Sequence, residues 1–358
     1  MKIALLNLPV DNNYGGNLQR YALMKVLQDM GHDVTHLNLR FDYHLPWYKM
    51  PYSYSKRVIS KYLFGKKIII NQEKYSREKY QELCSITDPF YQRYIQHTEP
   101  IYKLSELKKY SNFDAYVVGS DQVWRKKISK RYLSSMFLDF LPKGCKAKRI
   151  AYGVSLGVAE NELSVEEISQ LSELYKRFDA VSVREDSALE LFEQYGWNSP
   201  QAVQVLDPTL LLNKDDYLTL IQNGSTVPSK GNMFCYILDK NEEKEQLIQQ
   251  KAEELQLIPF EVGLKDEKPA SIEQWLRSFA DAEYVITDSY HGLLFSIIFN
   301  KPFYLIQNNY RGNVRFEMIF HTFKLPRICM PNQNRGIDER LESIRKKSIN
   351  YLINSLSL

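Results

Sequence analysis

Short β-branched runs recur along the first half of the chain with helix-like text between them: KIALLNL, DVTHLNL, FDAYVVGS, KRIAYGVS, FDAVSVRE and AVQVLDP. Continuous apolar strands bounded by polar or glycine residues and separated by amphipathic helices predict a parallel sheet covered on both faces. The first crossover helix reads GGNLQRYALMKVLQDMG, where Leu18, Tyr21, Ala22, Met24, Val26 and Leu27 form a helical stripe and Gly31 supplies the stop. From Leu211 to Asn232 the periodicity gives way to LLNKDDYLTLIQNGSTVPSKGN, which predicts a connection between domains. A second set of strands follows, NMFCYIL, LIPFEVGL, AEYVITDS and KPFYLI, with EEKEQLIQQKAEEL and SIEQWLRSFADA as helices between them. The tail carries Leu341, Ile344, Ile349, Leu352, Ile353 and Leu356 at helical spacing, as expected of a closing helix packed on one of the domains. The fold class is therefore α/β. Two Rossmann-type, doubly wound domains are expected over 1–213 and 232–335, with a linker at 214–231 and the closing helix at 336–358. A chain of 358 residues is long enough for each to bury its own core.

Residues 41–82 break this pattern. The stretch FDYHLPWYKMPYSYSKRVISKYLFGKKIIINQEKYSREKYQE interleaves aromatics with lysine and arginine. It reads either as an interfacial segment near anionic lipid head groups or as a solvated insertion whose aromatics cap the first domain. Tyrosine is abundant, at 25 residues, which fits carbohydrate stacking platforms or ordinary half-buried packing.

Charge and cysteine usage narrow the classes. Lys+Arg 47 against Asp+Glu 43 leaves a formal +4, too little to make nucleic acid the main partner, and supports only a modest preference for anions. Cys84, Cys145, Cys235 and Cys329 lie far apart, with no CxxC and no histidine at ligand spacing. Neither a metal site nor a disulfide framework is expected, and a reducing cytoplasm fits best. The apolar run after Lys2 is too short for a signal-peptide core, and no segment approaches the roughly 18 apolar residues of a membrane span.

Ligands of doubly wound sheets sit beyond the carboxyl ends of the strands, so the residues following each strand are the candidates. After the first strand, Asn13, Gly15, Gly16 and Asn17 open a helix whose backbone amides face a ligand, although the GxGxxG spacing of a dinucleotide site is missing. Ser120 and Asp121 follow FDAYVVG, and Ser155 follows RIAYGV. Arg184 stands directly after AVSV, where a planar guanidinium fork suits phosphate or carboxylate; the alternative is an ion pair with Asp207 or Glu185. In TDSYHG the strand EYVIT ends, Asp288 or Ser289 caps a helix, and His291 falls in its first turn, facing the expected cleft. A helix N-terminus disfavours imidazolium, yet an anion drawn there would hold a proton on His291. Gly292 would permit close approach of that ligand.

Taken in order, NYGGNLQRYALMKVLQDMGHDV, FDAYVVGSDQVW, FLDFLPKGCKAKRIAYGVSLG, FDAVSVREDSALELFEQYGW, VLDPTLLL and YVITDSYHGLLFSIIFNKPF resemble the polysaccharide pyruvyl transferase family over most of the chain, leaving out 41–100 and the tail. The resemblance implies a GT-B-like pair of domains, the first on the acceptor side and the second on the donor side. It also implies transfer of a pyruvyl group from phosphoenolpyruvate to a sugar or lipid-linked oligosaccharide, forming a cyclic ketal with no further cofactor. By the same resemblance His291 of the HG element is the acid or base, and Arg184 of the VRE element is a ligand of the donor's anionic groups. Many members carry an arginine two residues before that histidine, where this chain has Ser289. Arg311 and Arg315 of NNYRGNVRF are the nearest replacements in sequence. A cytoplasmic enzyme, with peripheral membrane contact through the basic insertion, is the expected setting. The alternatives are a GT-B glycosyltransferase using a nucleotide sugar and a catalytically silent glycan-binding protein on the same scaffold.

Overall fold

The computed structural model describes residues 1–263, 269–307, 314–326, 328–329 and 337–357. In the first unit, β1 (Lys2–Leu6) leads into α1 (Tyr14–Asp29) and β2 (Asp33–His36), followed by α2 (Met50–Tyr62), α3 (Gln72–Cys84) and α4 (Asp88–Tyr94). Then come β3 (Ala115–Val118), the single-turn helices α5 (Lys126–Ser129) and α6 (Leu133–Met136), β4 (Lys148–Val154), α7 (Val165–Tyr175), β5 (Ala180–Val183), α8 (Asp186–Gln194) and β6 (Val203–Gln204). The six strands form one parallel sheet in the order β2-β1-β3-β4-β5-β6. Strands such as β3 and β5 are buried along their whole length, as continuous apolar runs under helices on both faces must be.

The second unit runs through α9 (Lys214–Asn223), β7 (Met233–Tyr236), α10 (Glu242–Leu255), β8 (Pro259–Phe260), α11 (Ile272–Asp281), β9 (Tyr284–Thr287), α12 (Tyr290–Ile298), β10 (Phe303–Leu305), α13 (Val314–Phe323) and β11 (Ile328–Cys329), and ends in α14 (Ile337–Ser357). Its five-stranded sheet has the order β11-β10-β9-β7-β8, with only the β11 edge antiparallel. Counted within each unit, both sheets start from a central first strand, place the second on one side and the rest on the other. The strand order therefore reverses between β1 and β3 and again between β7 and β9, where doubly wound sheets open a crevice for ligands.

One segment differs from the expected organisation, and the closing helix, expected on one of the domains, packs on the first. The first half of the expected 214–231 connection is the helix α9, because Asn213 caps it by accepting from the amides of Asp215 and Asp216, and Tyr217 and Leu220 are buried. The closing helix does not stay with the second sheet. Arg345 donates to the carbonyls of Leu210 and Leu212, the Ser348 hydroxyl receives the Leu206 amide, and Tyr351 packs against Tyr152. The chain thus returns to the first unit and ties the two together.

The tyrosines divide in a similar way. Tyr14, Tyr91, Tyr116, Tyr152, Tyr175, Tyr217 and Tyr284 are core residues, whereas Tyr48, Tyr52 and Tyr62 of the insertion are exposed. Cys84, Cys145 and Cys235 are unpaired thiols. Among the described residues no helix is long and apolar enough to cross a membrane.

Candidate active site

The loops at the two reversal points meet. The imidazole of His291, in the first turn of α12, lies against the backbone of Gly15 in the first turn of α1. A Cβ on Gly15 would come within 2.0 Å of Nδ1. Only the missing side chain of Gly15 lets the two helix starts approach this closely. Gly15→Ala is therefore expected to displace the imidazole while the protein stays folded, with the NMR shifts of the imidazole and circular dichroism as readouts.

Arg184 is the hub of the site. It is completely buried and donates from Nη1 to Asp207 at 2.6 Å and from Nη2 to Asp121 at 2.9 Å. Asp207 also accepts from Gln19 of α1 at 2.6 Å and from the amide and hydroxyl of Thr209. Arg315, reaching over from α13 of the second unit, stands 3.8 Å from the same Asp121 oxygen. Both guanidiniums lie over the ring of Tyr290, at 5.3 Å for Arg184 and 5.0 Å for Arg315, and Tyr290 meets His291 edge to face at 5.3 Å. Two cations, two carboxylates and an imidazole thus gather from the ends of β3, β5 and β6 on one side and from α12 and α13 on the other.

The electrostatics follow from this packing. Burial works against ionisation of Asp121, but Arg184 and Arg315 outweigh it and hold its carboxyl down at about 2. Asp207, likewise buried, is held below the ordinary range chiefly by Arg184. His291, 8% exposed, is pushed down to about 4, first by burial and then by the two arginines, against the pull of Asp207 and Asp121. The imidazole is accordingly neutral at physiological pH. Because its folded value lies below the ordinary 6.5, the unfolded chain binds more protons between the two values. The contribution of a neutral His291 is complete above about 6.5 and is lost as the pH falls toward 4. An acid loss of roughly 3 kcal/mol is expected between pH 7 and pH 4 from this group, and His291→Gln should flatten that part of the profile in denaturant titrations.

Several buried polar atoms here make no hydrogen bond within the protein: Nε2 of His291, the Tyr290 hydroxyl, Nε of Arg184 and Oε2 of Glu185. Buried polar groups are nearly always paired, so four unpaired atoms around one cluster mark it as a place built for a ligand. Two of the four are donors at or beside a guanidinium and suit an anion, one is the imidazole nitrogen that can exchange a proton, and the carboxylate oxygen of Glu185 suits a donor such as a hydroxyl. Among the described residues no three His, Cys, Asp or Glu side chains come together as metal ligands.

Other sequence candidates take supporting places. Ser289, not Asp288, caps α12, its hydroxyl accepting the Gly292 amide at 3.3 Å. Asp288 is buried and turned the other way, accepting from the amides of Leu238 and Asp239 and pairing with Lys244 at 2.7 Å. It fixes the loop after β7. What approaches Gly292 closely is the side chain of Thr287, since a Cβ there would fall 2.2 Å from its hydroxyl. Asn13 caps α1 by accepting the Gly16 amide, and Asn17 donates to the carbonyls of Asp11 and Asn13. Ser120 donates to the Gly153 carbonyl and Ser155 to Glu185. Glu185 is not the ion-pair partner of Arg184; its Oε1 collects Ser155 and the amides of Leu156 and Gly157. Arg311 lies outside the described residues.

Asp207 and Tyr290 are central here although sequence reasoning did not place either in the site. Asp207 had its signal in VLDPTLLL, an aspartate just past a strand. Tyr290 stood inside TDSYHG, where helical position alone does not reveal that its ring carries two guanidiniums.

Among solved structures, the UDP-N-acetylglucosamine 2-epimerase of Rickettsia bellii is 10% identical, with 100% of this chain and 97% of that chain covered and a TM-score of 0.49. The UDP-GlcNAc 2-epimerase of Neisseria meningitidis bound to UDP-GlcNAc is 10% identical, with 99% of each chain covered and a TM-score of 0.48. An alpha-glucosyltransferase in complex with UDP is 10% identical, with 99% and 95% covered and a TM-score of 0.46. No curated relative matches the sequence. The model of one family, described as polysaccharide pyruvyl transferase, matches residues 13–310, a span that takes in α1, Asp121, Arg184, Asp207 and His291, and the chain belongs to that family.

Proposed function

We propose that the protein transfers a pyruvyl group from phosphoenolpyruvate to a sugar of a surface-polysaccharide precursor and closes it as a cyclic ketal. The observation that carries this reading is the buried His291, its Nε2 without a partner in the protein, packed on the Tyr290 ring that also holds two guanidiniums. The donor brings a phosphate and a carboxylate, and guanidinium forks bind both. Arg184 gives one N–H from each terminal nitrogen to Asp207 and Asp121, and its Nε has no partner in the protein. In this reading Arg315, set on Asp121 from the second unit, takes the charge role of the arginine that many relatives carry where this chain has Ser289.

The reaction moves two protons, one from each sugar hydroxyl, the first ending on the methylene carbon and the second on the departing phosphate. A sugar hydroxyl gives its proton to neutral His291 as its oxygen bonds to C2 of phosphoenolpyruvate, and the methylene carbon takes a proton to become the methyl group. The developing positive charge at C2 and the negative charge on the leaving phosphate are both formed beside Asp121 and the arginines. A second hydroxyl of the same sugar then displaces phosphate from C2, its proton passing through His291 to the departing phosphate. The balance is one donor and one diol in, one ketal and one inorganic phosphate out.

The test is incubation with phosphoenolpyruvate and lipid-linked or free oligosaccharides, read by mass spectrometry for an added pyruvyl group and by phosphate release. Equal amounts of ketal and phosphate are expected. Thermal stabilisation by a nucleotide sugar, with none by phosphoenolpyruvate, would instead make the protein a glycosyltransferase.

A further inference from the structure

We infer that the surface formed by Trp47 to Lys67 docks on an anionic lipid bilayer. Helix α2 carries its burial pattern inside out. The side chains that hold it to the protein are polar. Arg57 makes a bidentate pair with Glu73 of α3, both contacts at 2.6 Å, and donates to the Ile70 carbonyl, while Tyr54 donates to Asn71. No residue of α2 is buried. The outward face instead carries Tyr52, Ile59, Tyr62 and Leu63, and it continues into Phe64 on one side and Trp47 and Tyr48 on the other. Trp47 is 82% exposed, Leu63 75% and Phe64 69%. An amphipathic helix in water normally turns such residues inward. Here these seven large apolar or aromatic side chains, within 18 residues of sequence, stand exposed, the concentration that marks an interaction surface.

Charge selects the occupant. From Tyr43 through Gln72 there is no aspartate or glutamate, while Lys49, Lys56, Lys61, Lys66 and Lys67 are all present and exposed. Arg57 is already neutralised by Glu73. A second copy of the chain, meeting this face about a twofold axis, would bring five lysines against the same five. A nucleic acid would satisfy the lysines but leave Ile59, Leu63 and Phe64 in water. A bilayer with anionic head groups satisfies both, taking the lysines at the head groups and the apolar and aromatic bodies just below. The surface is mounted beside the cleft: Tyr80 of α3 donates to the Val10 carbonyl in the loop after β1, and Arg77 bonds His44 at the base of the insertion. If the acceptor is lipid-linked, which rests on the reading above, this docking brings the cleft to it.

The experiment uses the full chain and needs no turnover, so its failure is separate from failure of the proposed reaction. Flotation with vesicles of phosphatidylcholine alone is compared with phosphatidylcholine mixed with phosphatidylglycerol. Binding to the mixed vesicles, weakened by salt, is expected. Replacing Lys49, Lys56, Lys61, Lys66 and Lys67 by glutamine should lower partitioning by two orders of magnitude or more, since each lysine near an anionic surface is worth roughly fivefold. Tyr52→Ser combined with Ile59→Ser and Leu63→Ser should also abolish binding, with melting temperature unchanged because none of these side chains is in a core. Absence of wild-type binding to the mixed vesicles, or a five-lysine variant within about threefold of wild type, overturns the inference. So does a dimer in sedimentation that the serine variant converts to monomer while neither protein floats.

Discussion

His291→Ala is expected to lower kcat for pyruvyl transfer by about 10²–10⁴-fold while the melting temperature changes little. The imidazole is the one neutral base in the cluster, and its Nε2 has no partner in the protein. Its loss removes the group that accepts the hydroxyl proton without removing any member of the Arg184 network. Stability should hold because the ring rests on the backbone of Gly15 and the edge of Tyr290, and its Nε2 carries no hydrogen bond of the protein. His291→Gln separates the two contributions, since an amide of similar reach keeps the packing but cannot exchange a proton at neutral pH. Both variants should therefore lose turnover together. Phosphate release within about threefold of wild type in either would remove His291 from the mechanism.

Arg184→Ala should show the largest effect on stability, a loss of about 3–5 kcal/mol measured by denaturant titration. The guanidinium is buried between Asp207, itself fully buried, and the partly exposed Asp121, and its removal leaves the Asp207 carboxylate uncompensated in the interior. The sign can be checked within the same cluster. Adding Asp207→Asn to Arg184→Ala removes the stranded charge while keeping the shape, and should recover part of the loss instead of deepening it. Arg184→Lys is a milder test that separates support from donor binding. Lysine cannot reproduce the planar fork that spans both carboxylates, and it lacks the unpartnered Nε donor. A drop of about 10- to 150-fold in kcat/KM for phosphoenolpyruvate is expected with acceptor dependence nearly unchanged. If stability alone falls, Arg184 is a strut between Asp121 and Asp207, and anion binding passes to Arg315.

Much of this molecule is legible in its text. The apolar runs of β1, β3, β5, β7 and β9 announce parallel strands, because a strand covered on both faces has no polar face to alternate with. The rule that ligands gather beyond strand carboxyl ends led directly to Gly15, Asp121, Arg184 and His291. The TDSYHG stretch identified a helix start and left open only which residue capped it. The helix over Lys214–Asn223 was hidden because the Gly, Ser and Pro of the following loop dominated the reading of the whole connection, although Asn213 and Asp216 had the spacing of a capping box.

What tertiary structure alone decided is which polar residues near the cleft face a ligand and which brace the loops. Asp288 and Ser289 are neighbours in one turn, yet one is committed to the amides after β7 and the other to its own helix. Ser120 and Ser155 spend their hydrogens on neighbouring strand ends. No local signal separates these fates, because a turn requires small polar residues whether or not a ligand is near. The meeting of Gly15 with His291, and of Arg184 with Asp207 and Arg315, depends on two separately folded sheets being brought together. One-dimensional periodicity determines which face of each element is buried. The contacts between their loops are set by the packing of the two units and the return of α14, through pairs of residues with no fixed spacing along the chain.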